Sequence, residues 1–318
     1  MSAVRTVTGA IEAACLGHCQ VHEHLFVRPG PATERHPALR IDEEALSARE
    51  LARYRQAGGG AVVDAQPGGA GRDVRALARI SRASGVPVVC VTGFHLPMFY
   101  PEDHWIFRDA ERKLRDRFLA ELTEDIVEEG PTGIRAGAVK AAIGPEGVTR
   151  GLRARLRAAA AAAAEAGVPL LLHTEKGAGA VEAVALFASC GLAPERVLVC
   201  HVDRQAGDYE PHERVADTGA YLEYDTVGRY KYHDDESEAR LILHMLARGH
   251  LERLLLSLDT TRERLASYGG EIGLDYLLLS FLPRLREAGV TEDQIRAMTH
   301  VNPARAFGAR LEDGKSFG

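Results

Sequence analysis

Eight short apolar runs, each followed by a longer helical pattern, recur along almost the whole chain, and no other feature restricts the fold as strongly. They are CQVHEHL (19–25), GAVVDAQ (60–66), PVVCVTG (87–93), GAVKAAI (137–143), PLLLHTE (169–175), RVLVCHVD (196–203), AYLEYDTV (220–227) and RLLLSLDTT (253–261). Most stay apolar over consecutive residues, as parallel strands do when both faces are covered. Between them, IDEEALSARELARYRQAGGG and GRDVRALARISRASG carry helix start and stop signals. GLRARLRAAAAAAAEAG is low in complexity, but alanine is the best helix former and packs closely, so it reads as a barrel helix stopped by Gly167. Strand and helix in alternation predict an α/β chain of the (β/α)8 TIM-barrel type, closed by right-handed crossovers. A doubly wound open sheet is the structural alternative, and no GxGxxG follows the first run to support it.

The stretch VRTVTGAIEAACLG, ahead of the first run, reads as a short N-terminal hairpin plugging the barrel bottom. No Pro/Gly/Ser linker or shift in composition divides the chain, so residues 1–318 are expected to form a single barrel domain. Segment 97–118 is longer than a plain strand-to-helix connection and carries the only tryptophan, Trp105, which makes it a candidate lid or pocket wall. With 46% hydrophobic residues a sizeable core can be buried. The formal net charge of -6 argues against nucleic acid or an anionic membrane as partner and leaves a small-molecule substrate as the expected one. No apolar run approaches the ~18–20 residues needed to span a bilayer. The opening MSAVRTVTGAIEAA lacks a basic segment followed by an apolar one, and five cysteines without a CxxC pair suit a reducing compartment; a cytoplasmic location is expected.

Polar residues gather at the C-terminal ends of the runs, where a barrel builds its active face. His22 and His24 share one side of the first strand, because side chains repeat every two residues. Lys140 lies inside an apolar fourth strand; His173, His201 and Asp259 end the fifth, sixth and eighth. Singly, each has an ordinary explanation: a strand-end histidine is often just hydrogen-bonded, and an aspartate there often caps the next helix. Lys140 is harder to place, since a buried ammonium must find an anion, lose its proton or change chemically. Gathered on one rim, the imidazoles and the carboxylate suit zinc and similar divalent ions.

These residues also carry a resemblance. VRTVTG…VHEHLF, GAVKAAIG, LLLHTEKG, VCHVD and LLLSLDTT, in that order, resemble the successive signatures of the phosphotriesterase family of the amidohydrolase superfamily, which includes phosphotriesterase-like lactonases and phosphotriesterase homology proteins. The likeness runs from Val4 to THVNPARAFG near Phe307. It implies a binuclear centre in which His22, His24 and Asp259 hold the more buried ion and His173 and His201 the more exposed one. Lys140, carboxylated by CO2 to a carbamate, would bridge both, which would resolve its burial. The implied metals are two divalent ions, zinc by default, with Mn2+, Co2+ or Fe2+ also suited to such ligands. The implied nucleophile is a hydroxide bridging the ions, and the implied catalytic residues are Asp259, as proton acceptor, and Lys140. Cys200, beside His201, reads as strand packing rather than as a nucleophile. A homodimer is the family-like expectation.

The resemblance fixes hydrolysis better than the substrate. DTVGRYKYHDDE and DTTRERLASYGG, after the seventh and eighth strands, supply the loop residues Arg229, Lys231, Arg262, Arg264 and Tyr268. Such cations favour an anionic or hydroxyl-rich substrate over a neutral triester. Arg262, Arg229, Tyr268 and Lys231 are therefore expected to bind substrate, Arg262 foremost, with His95 and Tyr100 as weaker candidates beside Trp105. The resulting expectation is a lactonase or carboxylic ester hydrolase acting on a polar or anionic, sugar-type lactone, phosphorylated or not, with weak phosphotriesterase activity. Amide or phosphotriester hydrolysis on the same centre, and a metal-bearing binding protein without turnover, stay open as alternatives.

Overall fold

The computed structural model describes residues 2–310; Met1 and 311–318, which the single-domain reading includes, lie outside the described residues. Two antiparallel strands, β1 (Ser2–Thr6) and β2 (Gly9–Glu12), form the N-terminal hairpin. The barrel strands follow as β3 (His18–Glu23), β4 (Gly59–Asp64), β5 (Val88–Gly93), β6 (Ala138–Ala142), β7 (Leu170–His173), β8 (Val197–Cys200), β9 (Tyr221–Tyr224) and β10 (Leu254–Leu256). All pairings are parallel and in chain order, one strand in each predicted run. The runs overshoot the ladders mostly at their C-terminal ends, where the chain leaves the sheet to build the rim. Among the described residues no helix is long and apolar enough to cross a membrane.

Alternation along each strand sorts the side chains. In β7, Leu170 and Leu172 pack outward against the helices, whereas Leu171 joins the barrel interior. The same parity brings His173 inside, and in β6 it brings Lys140 inside beside Ala138. From below, Val4, Ala13, Leu16 and Phe307 close the interior against Val21, Val63, Val91 and Leu198. The hairpin thus plugs the bottom as expected, and a short strand β11 (Ala309–Arg310) adds to the free edge of β1. The alanine-rich helix, Arg153–Ala166, packs along the helix Glu111–Thr123 through buried Ala158, Ala159, Ala160, Ala162 and Ala163, and stops at Gly167 with φ 65°.

Two local departures from regular geometry position the rim. In β3 the pairing with β4 shifts between Gln20 and Glu23, and the successive amides of Val21 and His22 both donate to Ser257 Oγ, at 2.7 and 3.0 Å. This bulge breaks the parity that begins with inward Cys19 and Val21, and it lets His22 and His24 face the barrel mouth. The second departure is the seam. Among the described residues no ladder joins β3 to β10. One backbone bond, Asp259 N to the His22 carbonyl at 3.2 Å, and side chains join them: Ser257 as above, and Glu23, whose carboxylate accepts from Leu258 N (2.8 Å), Thr260 N (3.1 Å) and Thr260 Oγ1 (2.7 Å). Glu23 is therefore a structural partner of the eighth strand's end rather than a ligand.

Candidate active site

The six rim residues singled out from the sequence converge. Lys140 Nζ lies 3.1 Å from His22 Nε2. His173 Nδ1 lies 2.9 Å from His201 Nε2. Asp259 Oδ1 faces His24 Nε2 at 3.5 Å and His22 Nε2 at 4.0 Å, and its Oδ2 lies 3.8 Å from His201 Nδ1. His201 and Asp259 both take left-handed backbone, φ 64° and 47°, uncommon for residues with a Cβ. At His201 this turn reverses the alternation that would send the side chain outward after inward Cys200.

Charge explains how these rings are held. Burial, opposed chiefly by Asp225, keeps the His201 imidazole well below its ordinary value, and burial takes His173 down to about 4. Both rings are neutral near pH 7 and carry lone pairs. For His22, burial and Lys140 favour the neutral ring, but the carboxylates of Glu223 and Asp225 oppose them, and the ring is held well above its ordinary value. That position attracts positive charge. Burial alone would raise the Asp259 carboxyl; the Arg229 guanidinium and a hydrogen bond from His24 reverse this and hold it well below the usual carboxylate range.

A divalent cation fits this set. His22, His24 and Asp259 each bring a ligand atom within 4.8 Å of the other two, as do His201, Asp225 and Asp259. The buried Nδ1 of His24 makes no hydrogen bond within the chain. Neutral imidazoles and a carboxylate are the donors zinc and its neighbours take.

Other residues of the site were not among those expected. Asp225, just past β9, accepts from His201 Nδ1 (2.7 Å) and from the His201 amide (3.1 Å), and lies 3.2 Å from His22 Nδ1. It therefore orients two of the candidate rings, those of His22 and His201. Arg204 bonds Glu175 at 3.0 Å and Asp259 at 3.3 Å, and Arg229 bonds the same Asp259 oxygen. Beneath them, Cys200 donates to Glu223 at 2.9 Å; burial, then Glu223, pushes the thiol up to about 12, so it stays a protonated packing group.

Above the ligands lies a cavity of ≈170 Å³ with two chemically distinct walls. Arg204, Arg229, Glu175 and Gln66 are polar; Leu39, Ile41, Leu96, Met98 and Phe99 are apolar. His95 lines it, stacked on Phe99 at 3.9 Å and 5.0 Å from His173. Of segment 97–118, only its start reaches the cavity; Trp105 packs under Arg117 at 4.8 Å.

The structure places the other expected pocket residues elsewhere. Arg262 turns outward, to Glu43 at 2.7 Å, Asp42 at 3.5 Å and the face of Tyr268 at 4.7 Å. A carboxylate pair on the loop after β3 captures its charge, so the cationic wall comes from Arg204 and Arg229. Tyr268 bonds Ser47 Oγ (2.8 Å) and the Glu43 carbonyl (2.9 Å). Tyr100 is buried and its hydroxyl accepts from the His95 amide at 2.8 Å, which shapes the loop rather than the cavity. Lys231 lies over Tyr232 at 4.8 Å, in an adjoining groove that Arg229 also borders.

Comparison with known proteins gives a consistent picture. The phosphotriesterase family's sequence model matches residues 2–307. A phosphotriesterase homology protein of Escherichia coli is 29% identical over 92% of this chain and 98% of its own. A phospho-furanose lactonase of Mycoplasmopsis synoviae is 29% identical over 95% of this chain and 91% of its own. The crystal structure of a lactonase from Listeria monocytogenes superposes with a TM-score of 0.89 at 29% identity, over 98% of this chain and 100% of that one.

Proposed function

The chain belongs to the phosphotriesterase family, and from that premise we propose that it is a metal-dependent lactonase for a small polar or anionic lactone. One observation carries the reading: ligands for divalent ions lie at the floor of a cavity whose wall holds two guanidinium groups, Arg204 and Arg229. The similarity to lactonases supports the same reaction class.

His22, His24 and Asp259 would hold one ion, His173 and His201 a second, with Lys140, as a carbamate, between them. Bound ions would supply Lewis acidity, activating water and polarising the substrate carbonyl. The remaining work belongs to the chain. Asp225 fixes the ring orientations of His22 and His201. Asp259, kept anionic chiefly by Arg229, is the proton acceptor that passes a proton to the leaving alkoxide. The N–H donors of Arg204 and Arg229 not spent on Glu175 and Asp259 would orient an anionic or hydroxylated substrate. Leu39, Ile41, Met98 and Phe99 would cover its carbon face and exclude water.

A panel of neutral lactones, phosphorylated sugar lactones, aryl phosphotriesters and N-acyl amides tests this. The highest kcat/KM is expected on an anionic lactone, and Arg229→Met should lower it there by about 10–100-fold, the worth of a charge-assisted hydrogen bond. A preference for the triester or amide, or no effect of Arg229→Met on the best anionic substrate, would refute the substrate assignment. Lys140→Ala should lose metal and recover part of its activity with short carboxylic acids; unchanged metal content would refute the bridge.

A further inference from the structure

Behind the catalytic rim, between β9 and the helix Asp235–Ala247, a second group of ligand-type side chains converges. Asp203, His233 and Glu238 each bring one donor atom within 4.8 Å of the other two. Glu238 is 0% exposed, and neither of its carboxylate oxygens receives a hydrogen bond. Asp203, also 0% exposed, accepts from Thr226 N at 2.6 Å through Oδ2, while its Oδ1 receives none. Buried carboxylate oxygens without a donor are rare in folded proteins and point to an ion, a water or a proton in the gap.

His233 distinguishes among these. Its Nδ1 is 3.1 Å from the Asp234 carbonyl, which can only accept, so Nδ1 carries the proton. In the neutral ring, Nε2 then presents its one lone pair, 2.9 Å from the Thr226 hydroxyl, which would turn away from an ion bound there. That same Nε2 lies 3.1 Å from Glu238 Oε2. A lone pair set against a carboxylate at this distance is repulsive unless a proton or a cation lies between them. A single proton there, on the ring or on the Glu238 carboxyl, would satisfy one oxygen and leave Glu238 Oε1 and Asp203 Oδ1 without partners. A cation serves all three residues. A backbone carbonyl on the far ring nitrogen is also the usual support behind a ligating imidazole.

We propose that Asp203, His233 and Glu238 form a further, structural site for a divalent transition ion of the Zn2+ or Mn2+ type. One imidazole with two carboxylates is a donor set such ions accept. The ion enters from the His233 side, where the side chain is 6% exposed, while both carboxylates are sealed. The site ties the turn after β8 and the first turn of the helix Asp235–Ala247 to the loop 226–234. That loop carries Arg229 to the wall of the catalytic cavity.

The test is metal content by mass spectrometry after saturation with Zn2+ and desalting, for wild type, His22→Ala/His24→Ala, His233→Ala and Glu238→Gln. His233→Ala and Glu238→Gln should each lose about one ion per chain relative to wild type, and the His22/His24 variant should keep that ion. In the His22/His24 background, added Zn2+ should still raise Tm, and adding His233→Ala should abolish the rise. Wild-type metal content in folded His233→Ala and Glu238→Gln would overturn the site. If Glu238→Gln does not fold, His233→Ala, at the edge of the site, decides alone. Failure of the catalytic reading looks different: the His22/His24 variant would lose nothing while His233→Ala still lost its ion.

Discussion

Replacing Glu23 tests how the barrel closes. Its buried carboxylate takes three donors from the far side of the seam, two of them the amides that flank Asp259. In Glu23→Ala the Thr260 hydroxyl can turn elsewhere, but the amides of Leu258 and Thr260 are left buried without an acceptor. At about 1–3 kcal/mol for each such group the loss is about 2–6 kcal/mol, before any term for the cavity. Glu23→Gln keeps the shape and one acceptor. With its oxygen at the Thr260 end, only Leu258 N is orphaned, so about 1–3 kcal/mol is expected, offset in part because a charge is no longer desolvated. That offset is real: burial, against these three donors, raises the Glu23 carboxyl to about 7. Asp259 also holds a left-handed φ of 47°, a conformation that persists only where its surroundings fix it. The alanine variant should therefore lose metal affinity as well as stability. Urea unfolding at constant m-value, with metal content measured in parallel, reads both. A Glu23→Ala variant within about 0.5 kcal/mol of wild type, or one less destabilised than Glu23→Gln, would refute the seam argument.

Ser257→Ala removes the shared acceptor of the Val21 and His22 amides and should cost about 2–6 kcal/mol, about 1–3 for each orphaned amide, by thermal or urea unfolding. Asp225→Asn should weaken metal retention about 10–100-fold in a chelator competition, because it orients His22 and His201 without being needed for the fold of the strand. His18, buried against Tyr54 at 2.8 Å, has its imidazole lowered to about 3, chiefly by burial. The unfolded chain binds that proton near pH 6.5 and the folded chain does not, so stability should fall as pH drops from about 6.5 toward 3, at up to about 1.4 kcal/mol per pH unit. His18→Gln should flatten that slope in urea titrations at stepped pH. Gly93, at φ 100°, presses against the Lys140 backbone, and Gly93→Ala should give insoluble protein or an unfolding free energy lowered by more than about 3 kcal/mol.

Much of this architecture is legible in the sequence because it follows from period and burial. Strands covered on both faces must be apolar throughout, so a histidine or lysine in one stands out, and parity then puts Lys140 and His173 inside. The rule that selects His173 selects Asp225 equally; an aspartate after a strand is hidden only because it so often caps a helix. The rest depends on contacts between residues far apart in the chain. Arg262 and Arg229 follow neighbouring strands and look equivalent, yet the carboxylates of Asp42 and Glu43 draw Arg262 away while Asp259 draws Arg229 in. Arg204 follows His201 by three positions, and only the 3-10 turn Val202–Gln205 brings its guanidinium back over the candidate metal ligands. The left-handed turns at His201 and Asp259 carry no sequence signal, since neither residue is glycine.

The position of the seam links fold to chemistry. Seven of the eight strand contacts around the barrel are backbone ladders, and the remaining one, β3 to β10, is where His22 and His24 stand opposite Asp259. A ladder at that height would use the amides and carbonyls of residues 21–24 and fix a straight strand. The bulge at Val21–His22 and the turn at Asp259 would then be impossible, and the two histidines could not share one side of the mouth with the aspartate. Giving up the ladder leaves backbone groups that need other partners: the Asp259 amide reaches the His22 carbonyl, Ser257 takes the amides of Val21 and His22, and Glu23 takes those of Leu258 and Thr260. A cation held by His22, His24 and Asp259 would add a bond across the same gap. Metal binding and barrel closure are thus expected to be coupled at this one seam, and the side-chain bridges are what let the site form there.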